Sequence, residues 1–195
     1  MGKKSSKTQI IRIIIKLLPI MINFRRDRRE WVKKEGKDID ESKYKSHAKM
    51  ALKVFIELGP SYIKLGQWLS SRSDILPQPY LEVLSTLQDD VPVEPFEKVK
   101  KTIEEELGQI DLIFESFNIE AFSGASLGQV YHAKYRGKDV VVKVARPNIE
   151  QIIENDISIM KRLIPIGTRF IDPNLRFSVE GMFSQFIETI YEEIV

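Results

Sequence analysis

Three observations predict an α+β fold. Apolar residues recur at helical spacing through most of the chain up to Gly108. A β-branched run broken by a glycine-bearing turn then occupies Gln129 to Val144. Two more helical periodicities follow, from Ile149 and from Phe183.

The elements follow in order. Met1 to Lys7 is a polar tail that fits the myristoylation pattern, with Gly2 and Ser6 in place. Gln9 to Phe24 is strongly apolar, carries Arg12 and Lys16 on one side and is interrupted by Pro19. The run is too short to span a bilayer and no small-residue cleavage site follows it. A basic cluster, Arg25 to Arg29, and Trp31 come next. This composition fits a helix lying on an anionic membrane surface through residues 9–34, or a helix packed on the body with a solvated basic flank. The aromatic interleaving of a nucleic-acid platform is absent, so no nucleic-acid partner is expected.

Lys33 to Lys45 reads as a polar linker. His47 to Gly59 is helical, and Pro60 suits the first position of a new helix that ends near Pro77. Tyr80 to Leu87 is a short helix, and Gln88 to Pro92 is a turn. Pro95 to Leu107 places Phe96, Val99, Ile103 and Leu107 inward, with Gly108 as its stop. After the hairpin, Asn148 caps a helix with Ile149, Ile152, Ile153, Ile157, Met160 and Leu163 on one face up to Pro165. Gly167 to Phe177 reads as a loop, and Ser178 caps a last helix carrying Phe183, Phe186, Ile187, Ile190 and Ile194.

Composition removes several chemistries. The 195 residues include no cysteine, which excludes disulfides and thiolate sites, and fits a cytoplasmic address. The two histidines, His47 and His132, lack ligand spacing and read as ordinary surface or strand residues. The net charge of +2 hides an asymmetry: residues 1–37 carry twelve Lys/Arg against three Asp/Glu, and the remainder eighteen against twenty-five. A basic arm on an acidic body suggests an anionic surface as partner.

Phe122 to Val144 carries the most specific chemistry. Ser123, Gly124, Ala125, Ser126 and Gly128 form a small-residue loop before one strand, and Lys143 interrupts the next. Small residues let backbone N–H groups approach phosphate, and a lysine in a buried strand needs an anionic partner. Kinases use this order: a loop over the phosphates, then a strand lysine. An ordinary hairpin with a solvated lysine fits the same residues.

Three stretches together resemble the N-terminal part of the UbiB (AarF-type) atypical kinase-like family. Lys64-Leu65-Gly66-Gln67 with Ser71-Arg72-Ser73-Asp74-Ile75-Leu76-Pro77 is similar to its K-x-G-Q signature and S-x-R-x-D-x-L-P tail. Leu87 to Pro92 with Ile103 to Gly108 is the second stretch, and Ser123 to Val144 the third; Arg146-Pro147 and Asp156 continue it. Ser123 and Gly124 stand where the family has alanines.

The resemblance implies a helical N-terminal region followed by a kinase-like N-lobe, with the C-lobe absent. The divisions expected are a basic arm at 1–37, a K-x-G-Q region at 45–110 and a partial N-lobe at 111–195. Ser123, Gly124, Ala125, Ser126, Gly128 and Lys143 would bind ATP or ADP with Mg²⁺, weakly or not at all without the C-lobe. Lys64, Gly66 and Gln67 would lie on a segment folded over the nucleotide cleft, with an acidic partner for Lys64 just after Val195. Glu150, Glu154, Glu188, Glu192 and Glu193 are positional candidates to pair with Lys143. No catalytic residue or metal ligand is assigned, because neither an H-R-D-type base nor a D-F-G-type aspartate is present. The implied function is that part of an atypical kinase or ATPase of isoprenoid-quinone or lipid metabolism, peripheral to the membrane and completed by a C-lobe-bearing partner chain. The alternative is a non-catalytic pseudokinase fragment that acts through a partner protein.

Overall fold

The computed structural model describes residues 7–88, 91–167 and 173–193. The myristoylation pattern, Asp89-Asp90 of the expected turn, residues 168–172 of the expected loop and Ile194 lie outside them. Helices α1 (Lys7–Lys33), α2 (Glu41–Leu58), α3 (Pro60–Ser70) and α4 (Gln78–Ser85) come first, followed by a 3-10 turn at Thr86–Gln88. Then come α5 (Phe96–Leu107) and α6 (Ile110–Ile113). Strands β1 (Ser116–Phe117), β2 (Ser123–Gly124), β3 (Gly128–Tyr135) and β4 (Lys138–Ala145) form the sheet, and α7 (Ile149–Gly167) and α8 (Pro173–Glu192) end the chain. The α+β expectation holds.

The sheet is antiparallel throughout. β4 pairs with β3 along its length, while β1 and β2 pair with successive parts of β3. Arg136 and Gly137 turn the β3–β4 hairpin with φ of 50° and 74°, which suits a two-residue turn whose twist matches the strands. Alternation gives the sheet two unlike faces. Tyr131 and Val144 are buried against Val99, Ile103 and Ile110. Val141, His132 and Lys143 point the other way and are exposed.

A larger helical core joins α1 to α4 with α7 and α8. Tyr44, Tyr62, Leu84, Ile153, Phe186 and Ile190 are at most 2% exposed within it. Helix α1 is continuous rather than broken at Pro19. The bond that Pro19 cannot donate belongs to Ile15, four residues back and on the exposed side, while Ile13 and Asp27 anchor the buried side. The basic segment is therefore docked on the body, not a free arm.

Asp27 fixes that docking. Its carboxylate is fully buried, accepts from the Tyr80 hydroxyl at 2.9 Å, meets His47 Nδ1 at 2.7 Å and lies 3.7 Å from Lys43 Nζ. The Tyr44 hydroxyl donates to the Asp27 backbone carbonyl at 2.8 Å. The expectation for His47 is corrected: it is half-buried on α2 and bound to Asp27, whereas His132 is an exposed strand residue.

Other boundaries shift for local reasons. The expected linker to Lys45 ends early, because the Asp40 side chain accepts from Lys43 N at 3.0 Å and caps α2. The 45 and 110/111 divisions accordingly fall within or against helices α2 and α6. Helix α7 continues through Pro165, and α8 starts at Pro173 rather than after Ser178. Asn148 adopts a left-handed φ of 56°, and its carbonyl accepts from Ile152 N–H at 3.1 Å. Leu107 is 53% exposed, since eight residues carry it about 80° around α5 from Val99. Among the described residues, no helix is long and apolar enough to cross a membrane.

Candidate nucleotide-binding face

Cross-strand register assembles the candidate site. Ser123 pairs with Val130, and Val130 pairs with Lys143, so the three side chains share one row on the open face of the sheet. Lys143 is exposed, which corrects the expectation of a lysine buried within an apolar strand. The reason is that β4 buries only Val144 fully and otherwise faces solvent or is half-covered. Among the described residues, Lys143 has no ion-pair partner: none of Glu150, Glu154, Glu188, Glu192 or Glu193 reaches it.

The small-residue loop is a tight turn braced from behind. Ala125 N–H donates to the Gly128 carbonyl at 2.9 Å. A Cβ on Gly124 would lie 2.0 Å from the Val91 carbonyl oxygen, and one on Gly128 would lie 2.5 Å from that of Val144. Both glycines thus answer to close backbone approach within the fold. Ser126 is 2% exposed and turned into the body.

Two side chains hold this loop to the segment that precedes α5. Gln129 accepts from Glu94 N at 2.8 Å and donates to the Glu94 carbonyl at 3.0 Å, replacing a strand neighbour. Its amide also meets the Tyr131 hydroxyl. Arg146 donates to the Pro92 carbonyl at 2.6 Å and to the Ala125 carbonyl at 3.3 Å, and pairs with the Glu94 carboxylate at 3.3 Å. Burial depresses the guanidinium pKa, opposed by the charge of Glu94. Sequence reasoning placed Gln129 and Arg146 next to the loop but did not foresee these clamps.

The K-x-G-Q residues belong to the helical core. Lys64 forms an ion pair with Glu193 at the end of α8. Within the described residues the fold thus brings Lys64 a carboxylate from the chain itself. Gly66 admits the side chains of Leu87 and Phe55, which would stand 2.5 and 2.9 Å from an added Cβ. Gln67 donates to the Leu87 carbonyl at 2.7 Å. No hydrogen bond or ion pair among the described residues joins these three to the loop or to Lys143.

One further pairing ties α3 to α7. The Ser61 hydroxyl donates to Asp156 Oδ2 at 2.7 Å, both side chains being buried. Burial raises the Asp156 carboxyl to about 6, against the opposing effect of the Ser61 hydrogen bond.

A small antiparallel sheet packed on one helix, with a loop and strand lysine on its open face, is the arrangement of a kinase-like N-lobe. The chain belongs to the ABC1 atypical kinase-like family, whose domain matches residues 86–194. It is 40% identical over 158 residues to the chloroplastic protein "activity of bc1 complex kinase 1" of Arabidopsis thaliana, covering 80% of this chain and 23% of that protein. It is 35% identical over 167 residues to the probable protein kinase UbiB of Aeromonas salmonicida, covering 84% and 30%. Among solved structures, a Mycobacterium tuberculosis protein in complex with erythromycin aligns with a TM-score of 0.40 and 28% identity, covering 74% of this chain and 37% of that one. The chain therefore spans less than a third of these curated relatives' length.

Proposed function

We propose that this chain supplies the nucleotide-binding part of a UbiB-type atypical kinase or ATPase. The observation that carries the reading is the row Ser123–Val130–Lys143, which sets an ammonium with no ion-pair partner among the described residues beside a tight loop on an open sheet face. These residues fit an adenine nucleotide: Lys143 offers a charge to phosphate, and Ser123 to Ala125 are only half-buried. Ser126 and the two glycines would shape the turn rather than touch the ligand. ATP or ADP with Mg²⁺, when bound, supplies the phosphates and the metal charge. No residue here is assigned as base or metal ligand, so both would come from a kinase C-lobe, within a longer protein or on a partner chain. The isoprenoid-quinone or lipid setting rests on the family resemblance.

The experiment is titration of the chain with a fluorescent ATP analogue and Mg²⁺, beside Lys143→Ala. Saturable binding weakened at least about tenfold in the variant, the loss expected for one charge-assisted contact, supports the proposal. Equal binding by both proteins overturns the assignment of Lys143.

A second reading, a non-catalytic membrane-associated fragment acting through a partner protein, draws support from α1. Ile11, Ile15, Leu18 and Ile22 are 41–66% exposed and fall along one line of the helix. Exposed Arg26, Arg29 and Lys33 continue it. Apolar contact followed by cations suits an anionic, peripheral lipid surface. Co-sedimentation with vesicles rich in anionic lipid, lost in Ile15→Asp/Ile22→Asp, supports this. Equal sedimentation of the variant removes it.

A further inference from the structure

Among the described residues, strand β4 leaves one long edge of the sheet without a neighbour. It pairs with β3 along its length and with no other strand. The hydrogen bonds on the far side of β3 show where the backbone groups of β4 point. Glu115 N–H donates to the Lys134 carbonyl, Asn118 N–H to the His132 carbonyl and Phe122 N–H to the Val130 carbonyl. These three β3 residues thus turn their backbone groups towards β1 and β2. Their β4 partners are Asp139, Val141 and Lys143, which therefore occupy the non-hydrogen-bonded positions of the β3–β4 ladder. The N–H and C=O groups of Asp139, Val141 and Lys143 point to the free edge.

Such an edge is a template for another strand, and proteins commonly blunt it with a proline, a bulge or a short strand. Here β4 is eight residues long, pairs one-to-one with β3 without a bulge and holds no proline. Val141 is 63% exposed on one face, and Val140 and Val142 are only half-buried on the other. The charges on the open face are mixed rather than a uniform guard. Asp139 and Lys143 flank Val141 symmetrically, one two residues before it and one two residues after.

That symmetry names the occupant. A second copy laid antiparallel, with Val141 opposite Val141, sets Asp139 opposite the partner's Lys143 and Lys143 opposite the partner's Asp139. In the same register the outward backbone groups of all three residues face one another as hydrogen-bonded pairs. Val140 then meets the partner's Val142 on the other face. Moving the twofold centre to Asp139 or to Lys143 would set like charges directly opposite, which is destabilising. Moving it to Val140 or Val142 would leave Asp139 and Lys143 facing uncharged residues.

We propose that β4 is a self-pairing edge through which two copies of this chain join their sheets, with the ion pairs between Asp139 and the partner's Lys143 setting the register. A twofold pairing of this kind uses the same patch on both copies and closes on itself. One strand pair is a small interface, so the dimer is weak and reversible. The inference does not rest on nucleotide binding, although Lys143 takes part in both.

Sedimentation velocity of the whole chain over a range of concentrations, without nucleotide, tests it. The parent should rise from the monomer mass towards twice that value. Asp139→Lys sets lysine against lysine at both ends of the pairing, and Lys143→Asp sets aspartate against aspartate. Each variant alone should dimerise about tenfold more weakly than the parent. An equimolar mixture of the two variants restores opposite charges at both positions and should recover the parent's affinity. Both variants should melt with the parent, because among the described residues neither Asp139 nor Lys143 has an ion-pair partner. A parent that stays monomeric overturns the inference. So do single variants that dimerise as well as the parent, or a mixture no stronger than its components, because any dimer would then form elsewhere. A variant that melts well below the parent also overturns it, since its side chain would already be engaged within the fold.

Discussion

The helical core and the sheet treat charge in opposite ways. Around Asp27 a carboxylate is fully enclosed, and a histidine, a tyrosine hydroxyl and a lysine from α2 and α4 close on it. On the sheet, Lys143 stands on an open face with no carboxylate from the described residues beside it. An internal ion cluster of the first kind fixes how helices pack. An unsatisfied cation of the second kind is available to something outside the fold. The difference teaches where to look for function: the cation that folding does not use is the better candidate for a ligand contact.

The largest effect expected is at the buried carboxylate. Asp27→Ala leaves His47, Lys43 and the Tyr80 hydroxyl without their shared acceptor in a dry site. Breaking such a group typically costs about 3–5 kcal/mol. Urea unfolding should show the midpoint falling with little change in slope. A loss below about 1 kcal/mol would place Asp27 in water and collapse the contrast between the two regions.

Asp156 gives the next largest effect, with the opposite sign. Its folded pKa of about 6 lies above the ordinary value of 3.8. Between those values the folded chain holds more protons than the unfolded one, so stability falls as pH rises through this window and levels off above it. Asp156→Asn can still accept from Ser61 and has no charge to desolvate. It should therefore stabilise the chain at pH 7.5 by about 2 kcal/mol and change little near pH 4. Melting curves of both proteins across that range check it. A parallel offset at every pH would show that the carboxyl titrates normally.

Gly124 probes the contact between sheet and preceding segment. An added methyl would stand 2.0 Å from the Val91 carbonyl oxygen, and backbone cannot yield as a flexible side chain does. Gly124→Ala should cost about 1–3 kcal/mol by overpacking. Ser123→Ala, on the open face, should be nearly neutral by the same melting assay. Equal costs would mean that the loop is not braced on Val91.

Local chemistry in the sequence announced much of this fold. Pro60 opens α3, Gly108 stops α5 with φ of 96°, and Arg136-Gly137 turns the hairpin. Each is a short-range signal written in a few adjacent residues. The shared row of Ser123, Val130 and Lys143 comes from cross-strand register, and the exposure of Lys143 depends on what covers β4. Hidden from the sequence were the long-range polar contacts. Gln129 and Arg146 act on Glu94, 35 and 52 positions away, and Ser61 meets Asp156 across 95. Periodicity records which side of an element is apolar, not which distant group will satisfy a buried polar atom. Asp27 was obscured for the same reason: among four arginines it reads as part of a solvated basic cluster.

The smallest effect on stability is expected at the residue on which the proposed function rests. Lys143→Ala removes an exposed ammonium that makes no ion pair with the described residues, so unfolding should shift by no more than about 0.5 kcal/mol. The same substitution should weaken nucleotide binding, and the two measurements together separate a ligand contact from a structural one. A lysine that mattered for folding would lower both. Should stability drop by about 2 kcal/mol or more, a carboxylate must already hold Lys143 in the free chain, and the open face would lose the unpaired charge that sets it apart from the enclosed Asp27.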